Sequence, residues 1–181
     1  MATEDEETLV LRSLAGDRRA FGELVSAHQR VLFNVALRML NDREDARDVT
    51  QTAFLKAWQK LHTYDRRNRF FSWIYRILLN EALNQLRRRR RLEPLDERTV
   101  SPERSPEERT EAHEIGAIVQ DALMELGTEH RQVIILRHFH HLSHREIGDT
   151  LNVPEKTVKS RLYTGRQLLA GILRRRGVRP T

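Results

Sequence analysis

Leu142-Ser-His-Arg-Glu-Ile-Gly-Asp-Thr-Leu-Asn-Val-Pro-Glu-Lys-Thr-Val-Lys-Ser-Arg-Leu162 decides the fold of the C-terminal part of this chain. Ser143 followed three residues later by Glu146 is a capping box, in which each side chain satisfies the other residue's backbone N–H at a helix start. A short helix through Ile147 and Leu151 follows. Asn152-Val153-Pro154 then reads as a tight turn, with Pro154 in the first turn of the next helix, where a missing N–H costs nothing. That helix runs from about Glu155 to Leu173. Two short helices around such a turn form a helix-turn-helix, whose second helix enters a DNA major groove.

At roughly 100° per residue, the second helix divides cleanly. Val158, Leu162, Gly165, Leu169 and Ile172 share one face, which would pack on the first helix. Lys156, Lys159, Ser160, Tyr163, Arg166 and Gln167 share the other and offer donors to base edges and phosphates. Arg161 lies nearer the buried side and reads as a flanking or structural residue. An amphipathic bundle helix with a solvated basic face would show the same periodicity. Capping box, turn, proline and charged outer face together favour the helix-turn-helix.

Upstream, His138, His140, His141 and His144 cluster just before this motif. Imidazoles can hold zinc, but the chain has no cysteine to complete a set, so a hydrated loop is expected. Ile115 to Leu126 form a further helix ending at Gly127, and Thr128 can cap the next run, Val133 to Leu136. At the other end of the chain, Leu9, Val10, Leu14, Phe21, Leu24, Val25, Leu32, Val35, Ala36 and Met39 recur at three- and four-residue steps. Asn41-Asp42 interrupts them. A second run covers Glu44 to Leu61, and a third about Phe70 to Arg91. Alternating strand patterns are missing. The predicted fold is all-α: two small helical domains, 1–91 and 114–181, joined by a flexible linker, 92–113.

Charge follows the same division. The chain of 181 residues has 32 Lys+Arg and 26 Asp+Glu, a formal net of +6. Residues 1–91 carry 18 basic against 12 acidic side chains, residues 92–113 carry 3 against 7, and residues 114–181 carry 11 against 7. Two basic blocks flanking an acidic one suggest two polyanion-binding units on a segment that does not bind. Pro94, Pro102 and Pro106 forbid a continuous helix in that segment, whose acidic composition favours solvation. It would act as a tether, or as a nucleic-acid mimic in a basic groove. No run approaches the roughly 18 apolar residues of a membrane span. The acidic start, Thr3-Glu-Asp-Glu-Glu7, is unlike a secretion signal. A soluble cytoplasmic protein without disulfide or thiol chemistry is expected.

Thr63-Tyr-Asp-Arg-Arg-Asn-Arg-Phe-Phe-Ser-Trp-Ile-Tyr75 packs five aromatics and three arginines into thirteen residues, in a chain that is 6% aromatic. Arginines that follow phosphates, interleaved with rings that take unstacked bases, suit single-stranded nucleic acid. Some of Phe70, Phe71, Trp73 and Tyr75, about half, must be core. Tyr64 is the most exposed of the set by this reading. Beyond Ser72 a polar stripe, Ser72, Arg76, Asn80, Asn84 and Arg87, repeats at helical spacing and could hydrogen-bond unpaired base edges. Arg87 to Arg91 adds five consecutive cations.

Asp42-Arg-Glu-Asp-Ala-Arg-Asp-Val-Thr-Gln-Thr-Ala-Phe-Leu-Lys-Ala-Trp58, Phe71-Ser-Trp-Ile-Tyr-Arg-Ile-Leu-Leu-Asn80, Leu142-Ser-His-Arg-Glu-Ile147 and Thr157-Val-Lys-Ser-Arg-Leu162 resemble the bacterial RNA polymerase sigma factors of the sigma-70 family. The resemblance is to the short extracytoplasmic-function group, with two domains only, and it covers nearly the whole chain. It implies a non-enzymatic initiation factor, without metal or cofactor, that directs core RNA polymerase to promoters. A stress or envelope response is the implied setting. The resemblance makes 1–91 a region 2 type domain and 114–181 a region 4 type domain.

Residue by residue, the resemblance implies that Asp48, Gln51, Phe54, Leu55 and Trp58 lie on the helix that docks on the polymerase clamp, with Phe54 itself core. Tyr64 and Asn80 match positions that meet a flipped-out base of the −10 element. Arg66, Arg67, Arg69, Arg76, Asn84 and Arg87 join them as −10 contacts. Arg137 matches a backbone-contacting position ahead of the helix-turn-helix. Lys156, Lys159, Ser160, Tyr163, Arg166 and Gln167 would face the −35 element. Thr164 and Gly165 depart from the family, which often has Arg and Ala there. The histidines at 138, 140, 141 and 144 are also unusual. With no zinc-binding extension after Thr181, regulation is expected from a separate anti-sigma factor, often membrane-anchored.

Overall fold

A computed structural model describes residues 5–92 and 111–178, and within them all regular structure is helical. The linker reading therefore falls mostly on residues outside those described. α1 (Glu6–Leu14), α2 (Arg18–Leu40), α3 (Arg43–Lys60) and α4 (Phe70–Leu92) form the first half, with a 3-10 turn at Leu61–Thr63. α5 (Glu111–Glu125), α6 (Thr128–His138), α7 (His144–Leu151) and α8 (Glu155–Arg175) form the second. α5 thus begins inside the stretch read as linker.

The apolar run from Leu9 to Met39 is two helices. Ala15-Gly16-Asp17 breaks it, with Gly16 at φ +93, a conformation open mainly to glycine. Asp17 then caps α2 by accepting from the backbone N–H groups of Arg19 (2.9 Å) and Ala20 (3.2 Å). Arg12 bridges to the same carboxylate at 2.7 Å, locking the α1–α2 corner and holding the Asp17 carboxyl below its usual range. Asn41, in the left-handed region at φ 55, ends α2. Asp42 caps α3 through the Asp45 N–H at 2.8 Å.

In the second half the capping box on Ser143 and Glu146 is present in both directions, with Glu146 N–H donating to Ser143 Oγ at 3.2 Å and Ser143 N–H to Glu146 Oε2 at 2.9 Å. Two boundaries differ from expectation. Gly127, not Thr128, is the N-cap of α6, and it offers no side-chain acceptor. Pro154 is the N-cap of α8 rather than a residue of its first turn. Asn152 in the left-handed region closes α7. Gly148 admits the turn: a Cβ there would lie 2.8 Å from the Val153 carbonyl oxygen.

The core runs through both halves. Leu24, Leu32, Met39, Leu40, Ile74, Tyr75 and Leu78 are fully buried in the first, and Leu123, Ile134, Ile135 and Leu136 in the second. α4 packs on α7, and the end of α2 packs on α5 and α6. Sequence periodicity gave no sign of this seam. Its centre is Arg131, 5% exposed. The guanidinium donates to the carbonyls of Leu123 (2.8 Å), Met124 (2.7 Å) and Leu126 (3.0 Å) at the end of α5. It also reaches the Met39 carbonyl of α2 at 2.7 Å. Gln120 donates to the Arg38 carbonyl (3.2 Å), and the Arg38 guanidinium lies 3.6 Å from the Phe139 ring centroid.

Candidate nucleic-acid interface and docking groove

The outer face of α8 is as the helical arithmetic places it. Val158, Leu162, Gly165 and Ile172 are buried, while Lys156, Lys159, Ser160, Tyr163, Arg166 and Gln167 are all exposed. Tyr163 is 69% exposed, a large ring left open to water. Lys159 pairs with Glu155 one turn earlier at 2.8 Å, and Arg166 Nε donates to His138 Nε2 at 3.3 Å. Arg161 pairs with Glu129 of α6 at 2.9 Å, which makes it a brace between helices. Arg137 is half-buried and donates to the Leu142 carbonyl at 2.9 Å, closing the loop ahead of the motif.

That loop is not fully hydrated. His138 and His141 are exposed, but His140 is half-buried, and its Nε2 is sealed from solvent without a hydrogen-bond partner. Burial, with Arg38 and His141 nearby, pushes the His140 pKa down. Arg38 belongs to α2, so the charge that acts on His140 comes from across the seam, which the local sequence does not encode. Among the described residues no group of three or more His, Asp or Glu side chains is placed to hold a metal ion.

On α4 the polar stripe survives with one change. Arg76, Asn80, Asn84 and Arg87 are exposed, whereas Ser72 is buried. Phe70 and Tyr75 are core, and Phe71 and Trp73 are half-buried. Tyr64 is not the exposed ring the sequence suggested. Its ring lies 5.3 Å from Trp73 and 5.7 Å edge-on to Phe70, and its hydroxyl donates to the Asn68 carbonyl at 2.5 Å. Burial raises its pKa, helped by Glu6. The three rings form a half-open aromatic step beside the stripe. Arg66 pairs with Glu7 of α1 and Arg67 with Asp65, each at 2.7 Å, while Arg69 pairs with Glu146. Of the arginine run, Arg89 is structural: it pairs with Asp42 (2.8 Å) and Asp45, tying α4 to the start of α3.

A third feature is an apolar groove of about 730 Å³ between α2 and α3. Gln51, Phe54, Leu55 and Trp58 supply the α3 wall, and Asp48 borders the adjoining hollow with Gln51 and Leu55. Phe54 is only 8% exposed, whereas Leu55 is 57% exposed, a large apolar side chain left open to water. The α2 wall, Phe21, Val25 and Phe33, was not assigned from sequence. Phe21 and Val25 read as ordinary core positions. Arg18, Arg30 and Arg47 rim the groove, so an apolar segment with acidic flanks would complement it.

Family models of known proteins match both halves: Sigma-70 region 2 over residues 24–92 and Sigma-70, region 4 over residues 117–169. The RNA polymerase sigma-H factor of Pseudomonas aeruginosa is 32% identical, over 93% of this chain and 94% of its own length. The ECF RNA polymerase sigma factor SigW of Bacillus subtilis is 30% identical, over 88% of this chain and 91% of its own. Among solved structures, CnrH in complex with the cytosolic domain of CnrY superposes with a TM-score of 0.72 at 28% identity, covering 92% of this chain and 95% of that one.

Proposed function

Because the chain belongs to the extracytoplasmic-function group of the sigma-70 family, we propose that it divides promoter recognition between its two halves, with α8 on duplex −35 DNA and α4 on the melted −10 strand. The observation that supports this division is the coexistence of two differently built exposed faces on one chain. The α8 face is a row of exposed donors on a helix-turn-helix, the form that reads a major groove. The α4 face joins exposed amides and guanidiniums to an aromatic step, the form that suits bases already out of the stack. A stand-alone duplex-binding regulator would have no use for the second.

Chemically, capture of the −10 strand must offset the few kcal/mol that flipping a base costs. Asn80 and Asn84 can pair with a free base edge, Trp73 and Tyr64 can flank its ring, and Arg66, Arg67, Arg69, Arg76 and Arg87 can hold the phosphates. Arg137 would contact the duplex backbone beside α8. The groove walled by Phe54, Leu55 and Trp58, with Asp48 and Gln51 at its edge, would dock on core RNA polymerase. Holding and positioning are then the protein's whole task, without covalent chemistry, in the cytoplasm where polymerase works. No helix among the described residues is long and apolar enough to cross a membrane. An anti-sigma factor would compete for the same surfaces; the similar CnrH is known bound to the cytosolic domain of CnrY.

Run-off transcription with purified core polymerase tests the reading. Promoter-specific transcripts should require both proteins. Core-independent duplex binding with no transcript would refute it.

A further inference from the structure

His138 is the last residue of α6, and at four-residue steps it follows His130 and Ile134 along one face of that helix. α8 packs on this face. Gly165 comes so close that a Cβ there would lie 3.3 Å from both His130 Cβ and Ile134 Cγ1. Arg161 and Glu129 brace the same two helices at 2.9 Å. At the far end of the stripe, Arg166 Nε donates to His138 Nε2 at 3.3 Å. Arg137, one residue before, donates to the Leu142 carbonyl and fixes the end of α6. The effect of the Arg166–His138 bond is orientation, since it aims a side chain that otherwise samples many rotamers. His138 can accept at Nε2 only while neutral, with its proton on Nδ1. With Nε engaged, the edge formed by Nη1 and Nη2 stays available, and that fork matches the paired acceptors of a guanine.

On the premise that α8 lies on duplex −35 DNA, we propose that His138 is a positioning residue for −35 recognition: its neutral imidazole presents Arg166 to a base edge, and its protonation releases Arg166 and lowers sequence discrimination. Lys159 on the same face is paired with a carboxylate, Glu155, which competes with any phosphate. Arg166 is held by a neutral acceptor instead, which leaves its full charge for DNA. Burial first, then Arg166 of α8, Arg137 of its own helix and His141 of the loop, all disfavour a proton on His138 and keep its pKa below the usual 6.5. The accepting form therefore prevails at neutral pH and is lost as pH falls through that lowered value. Protonation turns the acceptor into a second cation beside Arg166, so the bond breaks and the guanidinium is repelled. A histidinium also attracts phosphate, so total affinity mixes two opposite effects. The ratio of specific to non-specific binding cancels that sequence-independent attraction.

The test takes the full chain and the duplex it enriches at about pH 8 from a pool with about 12 randomised base pairs. A scrambled duplex of the same length and composition is the non-specific reference. Fluorescence anisotropy gives the ratio of the two affinities from about pH 8 to about pH 5, and circular dichroism follows the fold. The parent's ratio should fall roughly five- to twentyfold across this range. His138→Gln, whose amide oxygen accepts without titrating, should keep the parent's high ratio at every pH. His138→Ala should show the low ratio already at the upper pH, and adding it to Arg166→Ala should change nothing further. A flat ratio in the parent overturns the proposal, as does a His138→Gln profile that falls like the parent's. A His138→Ala protein that discriminates as well as the parent also overturns it. An undiminished ratio in Arg166→Ala overturns it by removing Arg166 from base reading, with α8 still on duplex DNA. A pool from which no duplex is enriched overturns it differently, by removing the −35 assignment beneath it.

Discussion

Arg131 Nη1 in α6 donates to the Met39 carbonyl in the last turn of α2 at 2.7 Å, so one buried guanidinium closes helix ends from both halves of the chain. The same group caps α5 on three further carbonyls. A buried cation of this kind is stable only because its donors are used, and the carbonyls depend on it in return. Arg131→Met keeps the stem and deletes the donors. It should lower unfolding stability by about 3 kcal/mol, since several buried acceptors lose their partner together. Urea unfolding followed by circular dichroism measures this. A loss under about 1 kcal/mol would mean that water replaces the guanidinium without penalty.

Much of the local architecture was legible because it is written in nearest-neighbour chemistry. Ser143 and Glu146 announce a helix start, and Val158, Leu162, Gly165 and Ile172 mark the inner face of α8. Arg131 was not legible. A single arginine beside Val133 to Leu136 has no sequence signature separating a solvated cation from a cap reaching across the chain, because its partners are backbone carbonyls that every residue has. His140 escaped for a related reason, its neighbour Arg38 being distant in sequence, whereas Tyr64 turns in on Trp73 within its own aromatic stretch, which composition alone does not order. The exposed polar rows of α4 and α8 were legible as patterns.

Gly148 and Gly165 separate a forbidden side chain from a tolerated one. A Cβ at 148 would sit 2.8 Å from the Val153 carbonyl oxygen, which is backbone of the turn itself. Gly148→Ala should therefore shift the turn, cost about 1–3 kcal/mol and weaken duplex binding by α8. At 165 the nearest atoms are His130 Cβ and Ile134 Cγ1, both at 3.3 Å. A small adjustment there is offset by the roughly 1 kcal/mol alanine gains over glycine in a helix. Gly165→Ala should be near neutral. Thermal melts and duplex titrations of the two variants check the contrast, and equal losses would contradict it.

Acidification should loosen the fold at His140. Burial, then Arg38 and His141, holds its folded pKa below the ordinary 6.5. His138, nearby in the loop, is shifted the same way by burial and by Arg166, Arg137 and His141. The unfolded chain thus binds protons first as pH falls. This contribution to stability is complete above about pH 6.5 and declines as pH drops through the lowered folded pKa. His140→Gln should flatten part of the stability loss between about pH 7 and 5.5, leaving the His138 share. Melting temperatures across that range measure it; an unchanged slope would remove His140 from the account.

Leu55 tests the docking groove apart from the fold. At 57% exposure it contributes little to the core, so Leu55→Asp should change stability by no more than about 0.5 kcal/mol. An apolar anchor at the mouth of a groove is expected to dominate an interface, and a carboxylate there should weaken binding to core polymerase by about tenfold or more. Fluorescence anisotropy with labelled protein and purified core polymerase gives the affinity. Unaltered binding would place the polymerase contact elsewhere on the chain.

Asn80 and Lys159 test the proposed division of DNA recognition between α4 and α8. Asn80 is exposed on the α4 stripe and has no described hydrogen-bond partner to lose, so Asn80→Ala leaves the fold intact. It should slow open-complex formation by holoenzyme while leaving its affinity for closed duplex promoter unchanged. Lys159 projects from α8 toward solvent and pairs with Glu155 one turn away. Lys159→Ala should do the opposite: weaken closed-complex binding and reduce its salt dependence by about one ion, as loss of a phosphate contact does. Permanganate footprinting of the melted strand and duplex titrations at several salt concentrations measure the two steps. If each variant impaired both steps equally, the two helices would be reading DNA as one unit, and the split between duplex and single-strand recognition would fall.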